Sequence, residues 1–394
     1  MTIKMSVQKR KPAIGIFRHT LLPPSEAFIA EQTSHISNFE VHFFGRERGE
    51  GSFDLTNCHL IQRDSENGFL EKALYTLSGR NKSLLQKIKS VSPLLLHAHF
   101  GVEGVYALRF AQQLRIPLLT TFHGFDATQS ITGLLMNRKI SHLHYVAGLK
   151  RLRQEGNCFI AVSNYIRQQL IKQGFDKGKI IVHHPGIDTN RFKPELMGDD
   201  GQTILTVGRL EEKKGMMFLI QAIMQIRKEF PKVRLEIIGD GYLRPSLEQS
   251  VEKLKLTQSV VFRGTCTHDE VAKSMKKAAV FCLPSVTGKD GNSEGLPSVF
   301  LEAAASMKPV VGTYHSGIPE AVYDGETGFL VPERDIDSLA DRLTILLKDP
   351  LLRAKMGEAG RKKVEIDFDI NKQTKRLEDI YTDLIQEYHN CSTN

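Results

Sequence analysis

The stretch Ile204-Leu205-Thr206-Val207-Gly208-Arg209-Leu210, with residues 217–229 and Arg234-Leu235-Glu236-Ile237-Ile238 behind it, decides the fold. Its first piece is a short apolar, β-rich run stopped by glycine. Its middle piece carries apolar residues at helical spacing, and its last is again a β-rich run. Strand, helix and strand in that order predict a parallel sheet with helices packed on its faces.

Working outward, the same alternation continues in both directions. Further strands are expected at 260–263, 280–283, 310–312 and 329–331, with a helix at 243–254. Before the opening stretch, strands are expected at Ala13–Phe17, 41–44, 59–62, 94–98, Leu118–Phe122, 159–162 and Ile180–Val182. Two such series in 394 residues predict an α/β chain of two Rossmann-like domains. Each should place its functional loops at the carboxyl ends of its strands. Pro and Gly interrupt regular structure at 185–194, and Asp199-Asp200-Gly201-Gln202 makes a polar turn before the second series. The domains are therefore drawn at 1–187 and 188–368, with a last helix near 371–388 inside a segment 369–394.

Composition narrows the classes. Hydrophobic residues are 41% and charged residues 25%, ordinary for a soluble globular protein. No run of eighteen apolar residues exists, so no spanning helix is expected. Met1 to Lys11 is basic without an apolar core and reads as a ragged end, not a signal peptide. Five scattered cysteines with no C-x-x-C suit free thiols in a reducing cytoplasm. Residues 1–195 hold 26 Lys and Arg against 15 Asp and Glu, the remainder 27 against 30. The basic half suits anionic lipid headgroups, a pyrophosphate-linked acceptor or nucleic acid, or is simply a solvated surface. Nucleic acid is disfavoured, since no module or aromatic-basic interleaving for it is present. A basic, partly amphipathic region at 134–153, with Arg138, Lys139, Lys150, Arg151 and Arg153, is a candidate anionic-membrane contact or a solvated helix face.

Chemistry concentrates in Ser293-Glu294-Gly295-Leu296-Pro297-Ser298-Val299-Phe300-Leu301-Glu302. Thr287-Gly288-Lys289-Asp290-Gly291-Asn292 before it has turn chemistry, and a helix opens near Pro297-Ser298. Glu294 then stands at a helix N-terminus whose free N–H groups suit an anion, and Glu302 more than one turn inside. Arg209 follows a strand end, where a basic residue is usually solvated. Lys213 and Lys214 lie just beyond. His123 also follows a strand end, and a lone His is more often structural. Asp126 is either an acceptor-orienting group or a helix cap. His97 and His99 share one strand face without the partners a metal would need. Gly239-Asp240-Gly241 lacks the third glycine of a dinucleotide turn.

These residues together resemble a known family. Glu294 and Glu302 are similar to the E-x7-E motif of the retaining glycosyltransferases of family 4, which have the GT-B fold. Gly208-Arg209-Leu210 with Lys213-Lys214-Gly215 is similar to its G-R-L…K-G segment, and His123-Gly124-Phe125-Asp126 to its H-G-x-D. Pro185-Gly186-Ile187-Asp188 and Phe192-Lys193-Pro194 resemble its interdomain connection. Likeness is strong over 160–335 and looser before. His97-Ala98-His99-Phe100-Gly101 and Leu22-Pro23-Pro24-Ser25-Glu26 resemble the colanic-acid-type exopolysaccharide subgroup.

The resemblance implies two domains facing each other across a cleft, with the terminal helix crossing back to the first. It implies a nucleotide-sugar donor on the second domain and a glycan or lipid-linked acceptor on the first. Arg209 and Lys214 would bind the donor diphosphate, with Lys214 preferred over Lys213 by the motif's spacing. Glu294 would hold the transferred sugar, Gly295 and Leu296 would offer backbone N–H groups, and Glu302 would hold the ribose. His123 would lie beside the donor sugar near its C6 hydroxyl. No cofactor or metal is expected, and the location implied is cytoplasmic or peripheral on the inner membrane face. Arg18-His19-Thr20-Leu21-Leu22-Pro23-Pro24 stands where the family usually has a Gly-Gly pair, with Arg18 or Ser25 as substitutes. A sugar-nucleotide epimerase and a silent binding protein on the same scaffold are the competing readings.

Overall fold

In the computed structural model, which describes residues 11–21, 23, 26–49, 55–61, 68–136, 139–194 and 199–392, the two series form two separate parallel sheets. The first has seven strands, in the spatial order Cys58–Leu60, Glu40–Gly45, Ala13–Phe17, Leu96–His99, Leu118–Phe122, Cys158–Ala161 and Ile180–Val182. The second has six, in the order Val260–Gly264, Arg234–Ile238, Thr203–Val207, Val280–Cys282, Val310–Thr313 and Gly328–Val331. Both reverse direction beside their first strand in sequence, and that crevice is where doubly wound sheets bind ligands.

Each main strand lies within two residues of its expected bounds; of these, Gln62 is outside the described residues. A short parallel pair, Thr20–Leu21 with Glu47–Arg48, was not foreseen, because two residues carry no pattern. Strand Leu118–Phe122 is buried at every position, as a sheet covered on both faces requires. Its Thr121 is tolerated there because its hydroxyl bonds His97 Nε2 at 2.7 Å. Helix Met216–Ile226 buries Met216, Leu219, Ile220, Ile223 and Ile226, one face at helical spacing. The basic region 134–153 is two helices, Ile131–Met136 and Ile140–Glu155; Arg138 between them lies outside the described residues, as do Met1 to Arg10, Leu22, Pro24 and Ser25.

The chain returns to the first domain at its end. Ile187 N–H donates to the Phe368 carbonyl at 2.8 Å, and Ile370 N–H to that of Ile187 at 3.1 Å. Helix Ile370–Ser392 then adds Leu377, Ile380, Tyr381 and Leu384 to a core containing Ile14, Ile16 and Leu119. Its buried Glu378 accepts from the N–H groups of Ser37 and Asn38 at 2.7 and 2.6 Å. Among the described residues no helix is long and apolar enough to cross a membrane.

The carboxyl ends of the two sheets face each other. Ser293 N–H donates to Thr128 Oγ1 at 3.0 Å, and Ser163 Oγ donates to the Gly295 carbonyl at 3.1 Å. Glu320 caps helix Asn164–Lys172 from the other domain, accepting from Asn164 N–H at 3.0 Å.

Candidate functional site

Residues 283–297 leave the sheet beside its reversal point and deliver the chain into helix Ser298–Ala305. Glu294 is buried in this loop. Lys214 Nζ lies 2.7 Å from its Oε1, and Lys213 Nζ 3.7 Å from its Oε2. Both lysines come from one short 3-10 turn, Glu212–Lys214, which ends at Gly215. Gly215 has φ +66°, and a Cβ there would stand 1.9 Å from the Pro284 carbonyl oxygen. The turn is thus pressed against the start of the Glu294 loop. Burial by itself raises the Glu294 pKa, but Lys213 and Lys214 outweigh it and hold the carboxyl at about 2. Burial lowers the Lys213 pKa, which Glu294 opposes. Two cations and one carboxylate leave this spot net positive, the sign that suits a diphosphate.

The first domain closes the other side. Gly295 stands against His123: a Cβ on Gly295 would lie 1.9 Å from the His123 carbonyl oxygen. The His123 ring packs on Phe28 and Phe100, and its Nε2 lies 3.1 Å from His99 Nδ1. Burial, then His97 and Arg18, push its pKa well below the ordinary value, so the ring is neutral. Asp126 spends both oxygens on backbone, accepting from Gly101 N–H at 2.8 Å and Gly124 N–H at 2.9 Å. It therefore ties together the loops after two neighbouring strands and holds His123 in place. His97 is structural, bonded to Tyr381 and Thr121.

Other expected residues do not join this cluster. Arg209 is on the same lip, but its side chain is 59% exposed and pairs with Glu211 at 2.8 Å instead of reaching Glu294. Glu302 is buried away from the lysines, with Ser298 Oγ at 3.3 Å. Its electrostatic neighbours are Glu31 and Arg191, and Arg191 bonds Glu31 at 3.0 Å. Arg18 is not free to replace a glycine loop at a phosphate. Its guanidinium is bound to Glu26 at 2.5 Å and to Glu103, over the ring of Phe100. Among the described residues, the N–H groups of Gly295 and Leu296 have no protein acceptor.

Sequence reading missed one pair. His315 Nε2 accepts from Glu294 N–H at 3.2 Å, so its proton sits on Nδ1, which donates to Glu333 at 2.6 Å. Glu333 is itself held by Thr287 N–H at 2.8 Å, and Ser316 Oγ donates to the Glu294 carbonyl. Nothing marked His315 in the chain, since its role exists only where two strand-end loops meet. We expect His315→Leu to lower kcat about tenfold by loosening Glu294, with about 1–3 kcal/mol lost from the unpaired N–H. His315→Gln, which keeps an acceptor, should recover most of the rate; steady-state kinetics with urea denaturation checks both.

Residues 187–363 match the family model for glycosyl transferases group 1, and residues 32–191 that for glycosyltransferase family 4. Over 288 residues the chain is 36% identical to WcaL of Escherichia coli strain K12, a glycosyltransferase named for colanic acid biosynthesis, covering 71% of this chain and 69% of WcaL. It is 32% identical over 286 residues to the amylovoran biosynthesis glycosyltransferase AmsK of Erwinia amylovora, covering 72% of this chain and 68% of AmsK. Anabaena HepE, solved in complex with UDP-glucose, is similar in structure with a TM-score of 0.74 over 94% of this chain and 99% of HepE, at 18% identity. The architecture is that of GT-B proteins.

Proposed function

Because the chain belongs to the family 4 glycosyltransferases, we propose that it transfers a hexose-type sugar, with retention, from a nucleotide-sugar to a hydroxyl of a glycan or lipid-linked acceptor. The setting is bacterial exopolysaccharide or lipopolysaccharide synthesis, as the names of WcaL and AmsK suggest. One observation carries the reading: the cluster of Lys213, Lys214 and the buried Glu294 lies at the sheet reversal of one domain and against His123 of the other.

The reaction builds negative charge on the departing diphosphate and positive charge on the sugar. Fixed cations that meet the first are worth several kcal/mol. Lys214 and Lys213 supply them from one largely buried turn, and Arg209 adds a mobile fork from the lip. Gly295 and Leu296 direct free N–H groups at the same anion or sugar. Glu294, held ionised, accepts sugar hydroxyls, and the neutral His123 ring positions the sugar from the other side. The acceptor hydroxyl then attacks the anomeric carbon from the face the diphosphate leaves, its new C–O bond replacing the bond to the diphosphate, whose departing oxygen takes up the hydroxyl proton. Closure of the domains keeps water from hydrolysing the donor.

Thermal shift against UDP-, GDP- and ADP-sugars tests the proposal. A true donor at 100 times its Kd should stabilise the fold by about 2.7 kcal/mol. Acceptor-dependent diphosphonucleoside release supports transfer. An epimer formed from donor alone, or no turnover with any acceptor, overturns it.

Glu302 makes donor affinity depend on pH. Burial, then Glu31, raises its carboxyl to about 7, with Ser298 and Arg191 opposing. Ribose hydroxyls donate best to the ionised form, so donor Kd should fall as pH rises through about 7. Glu302→Gln should flatten that slope in a calorimetric titration. In the free protein the sign is reversed for stability. The unfolded carboxyl ionises first, near 4.5, so this group's contribution to stability is lost as pH rises from there toward 7.

A further inference from the structure

We propose that the first domain docks on an anionic lipid bilayer through an apolar patch bordered by an arginine-lined cavity. Large apolar side chains stand in solvent on three helices, Gly68–Ser78, Ile131–Met136 and Ile140–Glu155. They are Leu77, Ile131, Leu135, Met136, Ile140 and Leu143, from 41% exposed at Leu135 to 77% at Met136. The helices are neighbours: the first and second both pack on the third, and Gly79 sits on the His144 ring. On Ile140–Glu155 the exposed residues Ile140, Leu143, Ala147, Lys150 and Arg151 recur every three or four positions. That outward face is apolar at its start and basic at its end, the inverse of a helix that merely covers a core. Apolar side chains grouped in this way mark an interaction surface.

The basic end frames a cavity of about 210 Å³, lined by Ser78, Gly79, Tyr106, Arg109, His144 and Arg151. Arg80 follows the lining residue Gly79 in the chain. Arg80 and Arg151 are near enough to Arg109 to disfavour its charge, after the larger effect of burial. Arg151 is partly neutralised by Glu155 at 2.8 Å, whereas Arg80 and Arg109 have no carboxylate partner among the described residues. Crowded guanidinium groups without a counter-charge favour an arriving anion. A phosphate beside an apolar layer is the chemistry of a lipid headgroup over its acyl chains, which selects a bilayer over a soluble anion or a second copy of this chain.

The patch also reaches the cleft. Gly133 lies against Asp290, with a Cβ there 2.9 Å from the Asp290 Cβ, and Gln129 Nε2 donates to Asp290 Oδ2 at 2.6 Å. Asp290 is in the loop that leads to Glu294. A protein seated on this face would hold the candidate site beside the surface from which a lipid-linked acceptor projects. That consequence rests on the sugar-transfer reading; the docking itself is measured without turnover.

Co-sedimentation with vesicles of phosphatidylglycerol and phosphatidylcholine, against phosphatidylcholine alone, tests it. The intact chain should bind the anionic vesicles and weaken as salt rises. Arg80→Ala and Arg109→Ala should each weaken binding about fivefold, and Met136→Ser roughly tenfold. Activity on a soluble acceptor should be unchanged in all three. No binding to anionic vesicles at low salt overturns the proposal, as does equal binding to neutral ones. So does a dimer that Met136→Ser dissolves with no vesicle binding, which would make a second copy the occupant.

Discussion

Glu294→Gln should lower kcat by about 10²–10³ and also weaken the fold. The side chain keeps its size, so packing in the loop is preserved. Its charge is lost, and the buried Lys213 and half-buried Lys214 lose the carboxylate that both contact. Breaking such a buried arrangement costs about 3–5 kcal/mol. Glu294 is held at about 2 in the folded chain against 4.5 as the ordinary value. A depressed carboxyl contributes stability above its unfolded pKa and loses it as pH falls through the folded one. The wild-type chain should therefore lose stability between about 4.5 and about 2, and Glu294→Gln should lack that part of the acid slope. Kinetics normalised to folded protein, with urea denaturation across acid pH, separates the two effects. A variant with kcat unchanged would remove Glu294 from the chemistry, whatever its stability.

Arg209→Ala should lower kcat by a similar factor, about 10²–10³, for the opposite structural reason. Its side chain is 59% exposed and its ion pair with Glu211 is on the surface. Exposed pairs contribute about 0–1 kcal/mol, so denaturation midpoints should hardly move. Activity should fall because a freely swinging guanidinium on the lip of the site can close on the diphosphate once the donor arrives. Arg209→Lys should restore part of the rate, since it returns the charge without the fork. If Arg209→Ala turns over normally, the buried lysines alone serve the diphosphate and the resemblance misplaces this residue.

Lys213 and Lys214 show how far a linear reading reaches. Spacing favoured Lys214, and it does make the shorter contact, yet Lys213 lies on the same carboxylate. Adjacent side chains on an ordinary helix diverge; here a 3-10 turn closed by a left-handed Gly215 brings both to one group. Glu302 shows another limit. Its eight-residue spacing from Glu294 places it inside helix Ser298–Ala305, but its neighbours Glu31 and Arg191 come from distant parts of the chain. His315 and Glu333 had no signal at all, because His315 reaches Glu294, and Glu333 reaches His315, from loops that follow other strands.

By itself the sequence determined the two strand-helix series, the strand boundaries to within two residues, and the residue types gathered at the strand ends. These follow from local patterns of apolar side chains and from glycine and proline at the turns. Only the tertiary structure decided which charges meet: Lys213 joining Lys214 on Glu294, Arg209 turned outward to Glu211, and Glu302 placed beside Glu31. Pairing of charges depends on distances across two packed sheets, and those are set by the whole core and not by any short segment of the chain.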